Sequence, residues 1–263
     1  MSTQAGPSAL LRSLLFTTIL FVSVPVYCVP VLLSAALPFR TRFAIVRHWA
    51  RFIMASLDVL CGLRYLVEGR EHLPAQPCVV LLKHQSAWET IAEVLFVPDQ
   101  TWVLKRELMW TPFLGWALAA LRPIAIDRHA RGTALDQVVD QGRERLAAGL
   151  WVMVFPEGTR VAPGTRARYG LGGAALAKAA DVPIVPVAHN AGWYWRRRAW
   201  IKYPGTIRVR IGPAILPAGR NALELTEQAR NWIEAAVEEL DAAARTEVGA
   251  SLDAAQVRGE NAK

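Results

Sequence analysis

The sequence predicts an α/β domain with a largely parallel central sheet flanked by helices, and an N-terminal membrane-embedded helical hairpin. Three observations predict it. Short runs that are apolar throughout recur between residues 78 and 188, as strands covered on both faces of a parallel sheet require. Stretches of helical period separate them, which is the alternation of a βα-built domain. Residues 13–39 carry no charge over 27 positions, enough for a helix to cross a hydrocarbon core about 30 Å thick.

Composition agrees. Hydrophobic residues make up 53% of the chain and mean hydropathy is +0.22, so part of the apolar surface is expected to meet lipid. A chain of 263 residues suffices for one domain with a sizeable core. The net charge of +8 is unevenly spread: residues 221–263 hold nine acids against four bases, leaving 26 bases against 13 acids, a net of +13, in residues 1–220. Such a body favours anionic partners, namely membrane phospholipids, phosphates or an acidic carrier protein. No nucleic-acid-binding motif accompanies the charge, which argues against nucleic acid. Cys28, Cys61 and Cys78 form neither a disulfide framework nor a zinc pattern, and they read as buried thiols in a reducing compartment. The five histidines lack metal-ligand spacing, so no metal is expected.

Taken in order, the uncharged run admits three readings. A signal peptide has the small residues Ser34-Ala35-Ala36 for cleavage, but the run is too long. A simple span fits the length, but Pro25 and Pro30 would kink it twice. A hairpin that enters one leaflet and returns is favoured, because Arg12 precedes the run and Arg40, Arg42, Arg47 and Arg51 follow it, and positive charge prefers the cytoplasmic side. Residues 43–57, with Ile45, Trp49, Phe52, Ile53 and Leu57 at helical spacing, form its amphipathic second arm. Residues 1–60 are therefore read as a membrane element, at the inner (cytoplasmic) membrane with the remainder facing the cytoplasm.

Strands are expected at 78–82, 102–104, 123–126, 151–155 and 184–188. Residues 207–211 alternate Ile, Arg, Val, Arg, Ile and predict a half-exposed strand near an edge. Residues 133–148 have helical period with Gly149 as their stop. Residues 221–240 predict a surface helix opened by an Asn221…Glu224 capping box. The domain is read as 61–246, and 247–263 as a disordered tail.

Two segments carry chemistry. His84 follows an apolar strand, where sites collect in parallel sheets, and its pKa suits a base near neutrality. Glu89, five positions on, either completes a capping box with Ser86 or orients His84, and the two roles are compatible. Glu157 and Gly158 form a turn after another strand, and Thr159 and Arg160 follow, with Arg166 and Arg168 close behind. This reads as an anion-holding turn or as an ordinary strand end. There is neither a P-loop nor a G-x-S-x-G elbow. A base without a nucleophile points to direct activation of a substrate hydroxyl.

In this order and spacing the segments resemble the glycerolipid acyltransferases. Residues 84–89 (HQSAWE) are similar to the family's His-x4-Asp motif, with Glu89 in place of Asp. Residues 105–108 (KREL), with Pro112 and Gly115, resemble the stretch before its second block, and 124–128 (IAIDR) that block itself. Residues 155–160 (FPEGTR) match its third letter for letter, and 182–187 (VPIVPV) its fourth. The resemblance implies transfer of an acyl chain from acyl-CoA or acyl carrier protein, as co-substrate and without a cofactor, to the sn-2 hydroxyl of lysophosphatidic acid, giving phosphatidic acid. It implies His84 as base, Glu89 as its orienter, and Lys105, Arg128, Glu157, Gly158, Thr159 and Arg160 as acceptor-binding residues. Residues 182–187 would line acyl-chain or membrane contact. The alternatives are transfer to glycerol-3-phosphate or a phosphate-free lysolipid, and a non-catalytic lipid-binding protein. Residues 193–200, in which tryptophans interleave with arginines, read as a headgroup-level anchor or as a loop with core tryptophans.

Overall fold

A computed structural model describes residues 7–127 and 133–260, with side chains described to residue 246. The chain opens with α1 (Pro7–Leu33), which continues through Pro25 and Pro30, and α2 (Phe39–Cys61), which packs against it and stops at Gly62 in the left-handed region (φ +64°). Then follow β1 (Leu63–Glu68), β2 (Val79–Leu82), α3 (Glu89–Ala92), β3 (Gln100–Lys105), α4 (Leu114–Ala120), β4 (Ile124–Ile126), α5 (Thr133–Ala147) and β5 (Trp151–Val154). The domain ends with α6 (Gly172–Ala180), β6 (Ile184–His189), α7 (Ala191–Tyr194), β7 (Gly205–Ile211) and α8 (Ala222–Glu260).

Seven strands form one sheet in the order β1-β7-β6-β2-β5-β3-β4. All neighbours are parallel except β6 and β7, which are antiparallel. The predicted α/β domain with a largely parallel sheet is therefore present. β2, β5 and β6 are buried at every position, as apolar strands covered on both faces should be. One face packs on α2 residues such as Ala50, Ile53 and Leu57, and the other on α6 and α8 residues such as Leu176, Ala229 and Ile233.

All six strands expected from the sequence are present, and β7 alternates in burial as its sequence does. Its outer neighbour β1 was not anticipated, so β7 lies one strand in from the edge. Gly149 (φ +83°) follows α5. The cap of α8 forms reciprocally: the Asn221 amide donates to Glu224 Oε2 (2.7 Å) and the Glu224 amide to Asn221 Oδ1 (3.0 Å). α8 itself runs to Glu260, through most of the segment read as a disordered tail.

Candidate active site

β2, β3, β4 and β5 are mutually parallel neighbours, directly or through one another, and the segments singled out in the sequence leave their carboxyl ends. His84 lies just past β2. The amide of Lys83 donates to Val187 O (3.0 Å) and the carbonyl of His84 accepts from the Val161 amide (2.8 Å), so the backbone here is held on both sides. The His84 ring stacks on Phe155, with centroids 4.2 Å apart. Its Nδ1 is hydrogen-bonded to Glu89 Oε1 (2.9 Å), a contact that in the neutral ring places the proton on Nδ1 and the basic lone pair on Nε2, and the residue lines a cavity.

Glu89 is fully buried at the start of α3. The same Oε1 accepts the amides of Gln85 (2.8 Å) and Ser86 (2.7 Å). Burial favours the neutral acid, but the His189 and His84 rings and the Ser86 amide outweigh it and hold the pKa below its ordinary value. Only the glutamate half of the capping box forms. The Ser86 hydroxyl donates instead to the carbonyl of Trp195 (2.6 Å) and accepts the Trp88 amide (3.2 Å).

Beneath this pair lies His189, which the sequence reading missed. Its Nε2–H donates to Lys83 O (2.7 Å), and Nδ1 accepts from the Ala191 amide (3.1 Å). Burial lowers its pKa, against the attraction of Glu89, and both its nitrogens are engaged, with Nε2 3.8 Å from Glu89 Oε2. The signal was present, for like His84 it ends an apolar strand.

Lys83 was also missed. Its fully buried ammonium lies 3.2 Å from Glu157 Oε1 and 2.6 Å from Glu234 Oε1, and Tyr169 donates to the same Glu234 oxygen (2.9 Å). The Glu157 carboxylate is thus turned inward, where it also receives the His84 amide (3.4 Å). Burial raises its pKa, against the attraction of Lys83. Gly158 turns the chain at φ +66°, a conformation glycine adopts without a side-chain clash.

The cavity in front of His84 has a volume of about 470 Å³ and is mainly apolar. His84, Lys105 and Arg160 meet at it, and Val24, Cys28 and Val31 of α1, Trp49 of α2, and Leu108 and Leu118 complete much of its wall. Lys105 pairs with Glu107 (3.0 Å). No hydrogen bond or ion pair is made by the Arg160 guanidinium among the described residues, although its carbonyl accepts from Arg197 (3.2 Å). Glu93 is a further wall residue. Burial raises its pKa well above the usual carboxylate range, and one oxygen accepts the Trp102 indole N–H.

The other site residues expected from the sequence lie elsewhere. Glu157 and Gly158 border a second hollow of about 490 Å³ across Phe155, together with Arg168 and Tyr169. Thr159 is exposed. Arg128 falls outside the described residues. Residues 182–187 do not line the cavity: β6 is buried at every position between β2 and β7, so both its faces already belong to the core. Of residues 193–200, Tyr194 and Trp195 are core residues, and Trp195 meets Phe16 of α1 edge-on at 5.4 Å. Arg196, Arg197, Arg198 and Trp200 remain exposed.

Comparison with known proteins converges on one family. Residues 64–190 match the family model described as Acyltransferase. The chain is 45% identical over 235 residues, 88% of its length and 91% of the relative's, to a 1-acyl-sn-glycerol-3-phosphate acyltransferase of Pseudomonas aeruginosa. It is 32% identical over 64% of its length to the mouse 1-acyl-sn-glycerol-3-phosphate acyltransferase alpha, of which it covers 61%. The crystal structure of the Thermotoga maritima 1-acyl-sn-glycerophosphate acyltransferase superposes with a TM-score of 0.74, covering 89% of this chain and 96% of that one; at 24% identity this speaks to the fold. The chain belongs to the 1-acyl-sn-glycerol-3-phosphate acyltransferase family.

Proposed function

We propose that the protein transfers a fatty acyl chain from acyl-CoA or acyl carrier protein to the sn-2 hydroxyl of 1-acyl-sn-glycerol-3-phosphate, giving phosphatidic acid. The observation that carries this reading is His84, held by the buried Glu89 and lining an apolar cavity that Arg160 also lines. His84 Nε2 takes the hydroxyl proton as the oxygen attacks the thioester carbonyl. The tetrahedral intermediate collapses by breaking the carbon–sulfur bond, and the imidazolium returns the proton to the departing thiolate. Glu89 fixes the Nδ1–H tautomer and stabilises the imidazolium. Arg160 attracts the acceptor's phosphate as an unpaired guanidinium among the described residues, with Lys105 at the same mouth. Glu157 acts through Lys83 and the His84 amide, holding the turn rather than meeting substrate.

Membrane attachment belongs to the same reading. An 18-residue window of α1 has a mean hydropathy of 2.1 and only 22% of that window is buried, with Phe21, Val22, Val26 and Val29 of the helix exposed. A chain of this family with such a helix is associated with a membrane. Attachment by α1 and α2 to the cytoplasmic face of the inner membrane would put the cavity, which α1 helps to wall, next to its lipid substrates.

A lipid-binding protein without chemistry would use Glu89 only as acceptor for the Gln85 and Ser86 amides, and would not need the His84 ring on the same oxygen. Purified protein given lysophosphatidic acid in vesicles with each thioester donor should form phosphatidic acid. His84→Ala should lower the rate about 10²- to 10⁴-fold while leaving vesicle association intact. Undiminished transfer by that variant would sink the assignment. Preference for a phosphate-free lysolipid in the same assay would remove the role given to Arg160.

A further inference from the structure

We infer that residues 106–120 form an aromatic lip that inserts into the phospholipid bilayer beside α1 and lets acyl chains pass sideways between the bilayer and the cavity. The segment has two faces. Leu108, Leu114, Ala117 and Leu118 line the cavity that His84 and Arg160 also line. Trp110, Phe113 and Trp116 point away from it and are 72%, 51% and 55% exposed. Among the tryptophans outside the segment, Trp88, Trp151 and Trp195 are buried and only Trp200 is exposed. Three large aromatics within seven positions form a patch of the kind that marks an interaction surface.

The patch is continuous with α1. α4 packs on that helix, and Ala117 and Leu121 share a buried cluster with Cys28 and Val31. The exposed apolar row of α1 and the exposed aromatics of the lip therefore flank one seam. Phe113 adopts φ +60° and ψ −57°, outside the regions a bulky side chain prefers, with its ring 5.4 Å from that of Trp116. Charge frames the patch as an anionic headgroup layer would require. Lys105 and Arg106 precede it, and Arg122 follows; Arg42 of α2 donates to the Ala120 carbonyl and ties that end of α4 to the second arm. Aromatics at headgroup depth with cations at their flanks are an interfacial pattern.

The passage of acyl chains rests on the acyl-transfer reading of the cavity; insertion of the lip does not. In the full-length protein, Trp110→Ser, Phe113→Ser and Trp116→Ser are combined. Transfer is measured to a long-chain lysophosphatidic acid held in phosphatidylcholine–phosphatidylglycerol vesicles and to a short-chain analogue dissolved as monomer, with one acyl-CoA donor. KM for the vesicle-borne acceptor should rise about tenfold while kcat/KM for the monomeric acceptor stays unchanged. No change on vesicles overturns the inference, and so does an equal loss on both acceptors. Loss of a detergent-stable dimer with unchanged vesicle activity overturns it too, by making the patch a contact between two copies.

A second measurement needs no catalysis. Trp116→Cys in the His84→Ala background is labelled with an environment-sensitive fluorophore, the three native cysteines being buried. Its emission should rise and shift to the blue when the same vesicles are added, and unchanged emission overturns the lip. A positive signal together with a wild-type protein that acylates neither acceptor would leave the lip standing and remove the acyl-transfer reading.

Discussion

At Glu89 one oxygen atom starts a helix and holds a base. Oε1 accepts the Gln85 and Ser86 amides and the His84 ring together. The spacing made both roles legible, because an S-x-x-E box and a contact from position 84 to 89 are local. It could not show that the Ser86 hydroxyl is engaged by Trp195, a partner 109 residues away. The two roles separate experimentally. Glu89→Gln keeps an oxygen acceptor for the amides but not the charge that favours the imidazolium. Its kcat should fall about 10²- to 10⁴-fold with little change in KM or in the thermal midpoint. Activity within a factor of two of wild type would reduce Glu89 to a cap. His189 shows why a residue can escape such a reading, since its nitrogens are occupied by the backbone of Lys83 and Ala191, and only the fold brings it near Glu89.

The strands meet at an ion network between elements. Lys83 follows β2, Glu157 follows β5, and Glu234 comes from α8, so one ammonium balances two buried carboxylates from distant parts of the chain. Replacing Lys83 by Met would leave Glu157 and Glu234 facing each other without a cation. The expected cost is about 3–5 kcal/mol in denaturant unfolding. Adding Glu234→Gln should recover part of it, and a Lys83→Met protein of wild-type stability would show the network to be dispensable. Most strands were readable because a strand covered on both faces is an uninterrupted apolar run. β1, with the sequence LRYLVE at the sheet edge, is buried fully only at Leu63 and gave no such run. The inward turn of Glu157 was equally hidden, because its partners Lys83 and His84 lie 74 and 73 positions away. A sequence motif names a carboxylate without saying which way it faces.

For the molecule as a whole, the α/β body and the N-terminal helices are one catalytic unit, since the cavity is closed by both. Val24, Tyr27, Cys28 and Val31 of α1 face the same space as His84. The length and apolarity of α1 were plain in the sequence, but its inner face was not, because a helix apolar on all sides does not reveal which stripe meets protein. Exchanging α1 for an unrelated apolar helix of equal length should preserve vesicle binding and abolish transfer, in detergent as well as on vesicles. A second exchange that retains those four inner residues should restore it, and full activity of the first chimera would show α1 to be an anchor alone. α1 is thus subject to two kinds of evolutionary constraint on its two sides. The outer row, including Phe21, Val22 and Val26, answers only to lipid and is free to drift among apolar residues. The inner row must preserve volume and shape, so divergence along this one helix should be lopsided, with the substrate keeping one side of a membrane anchor from changing.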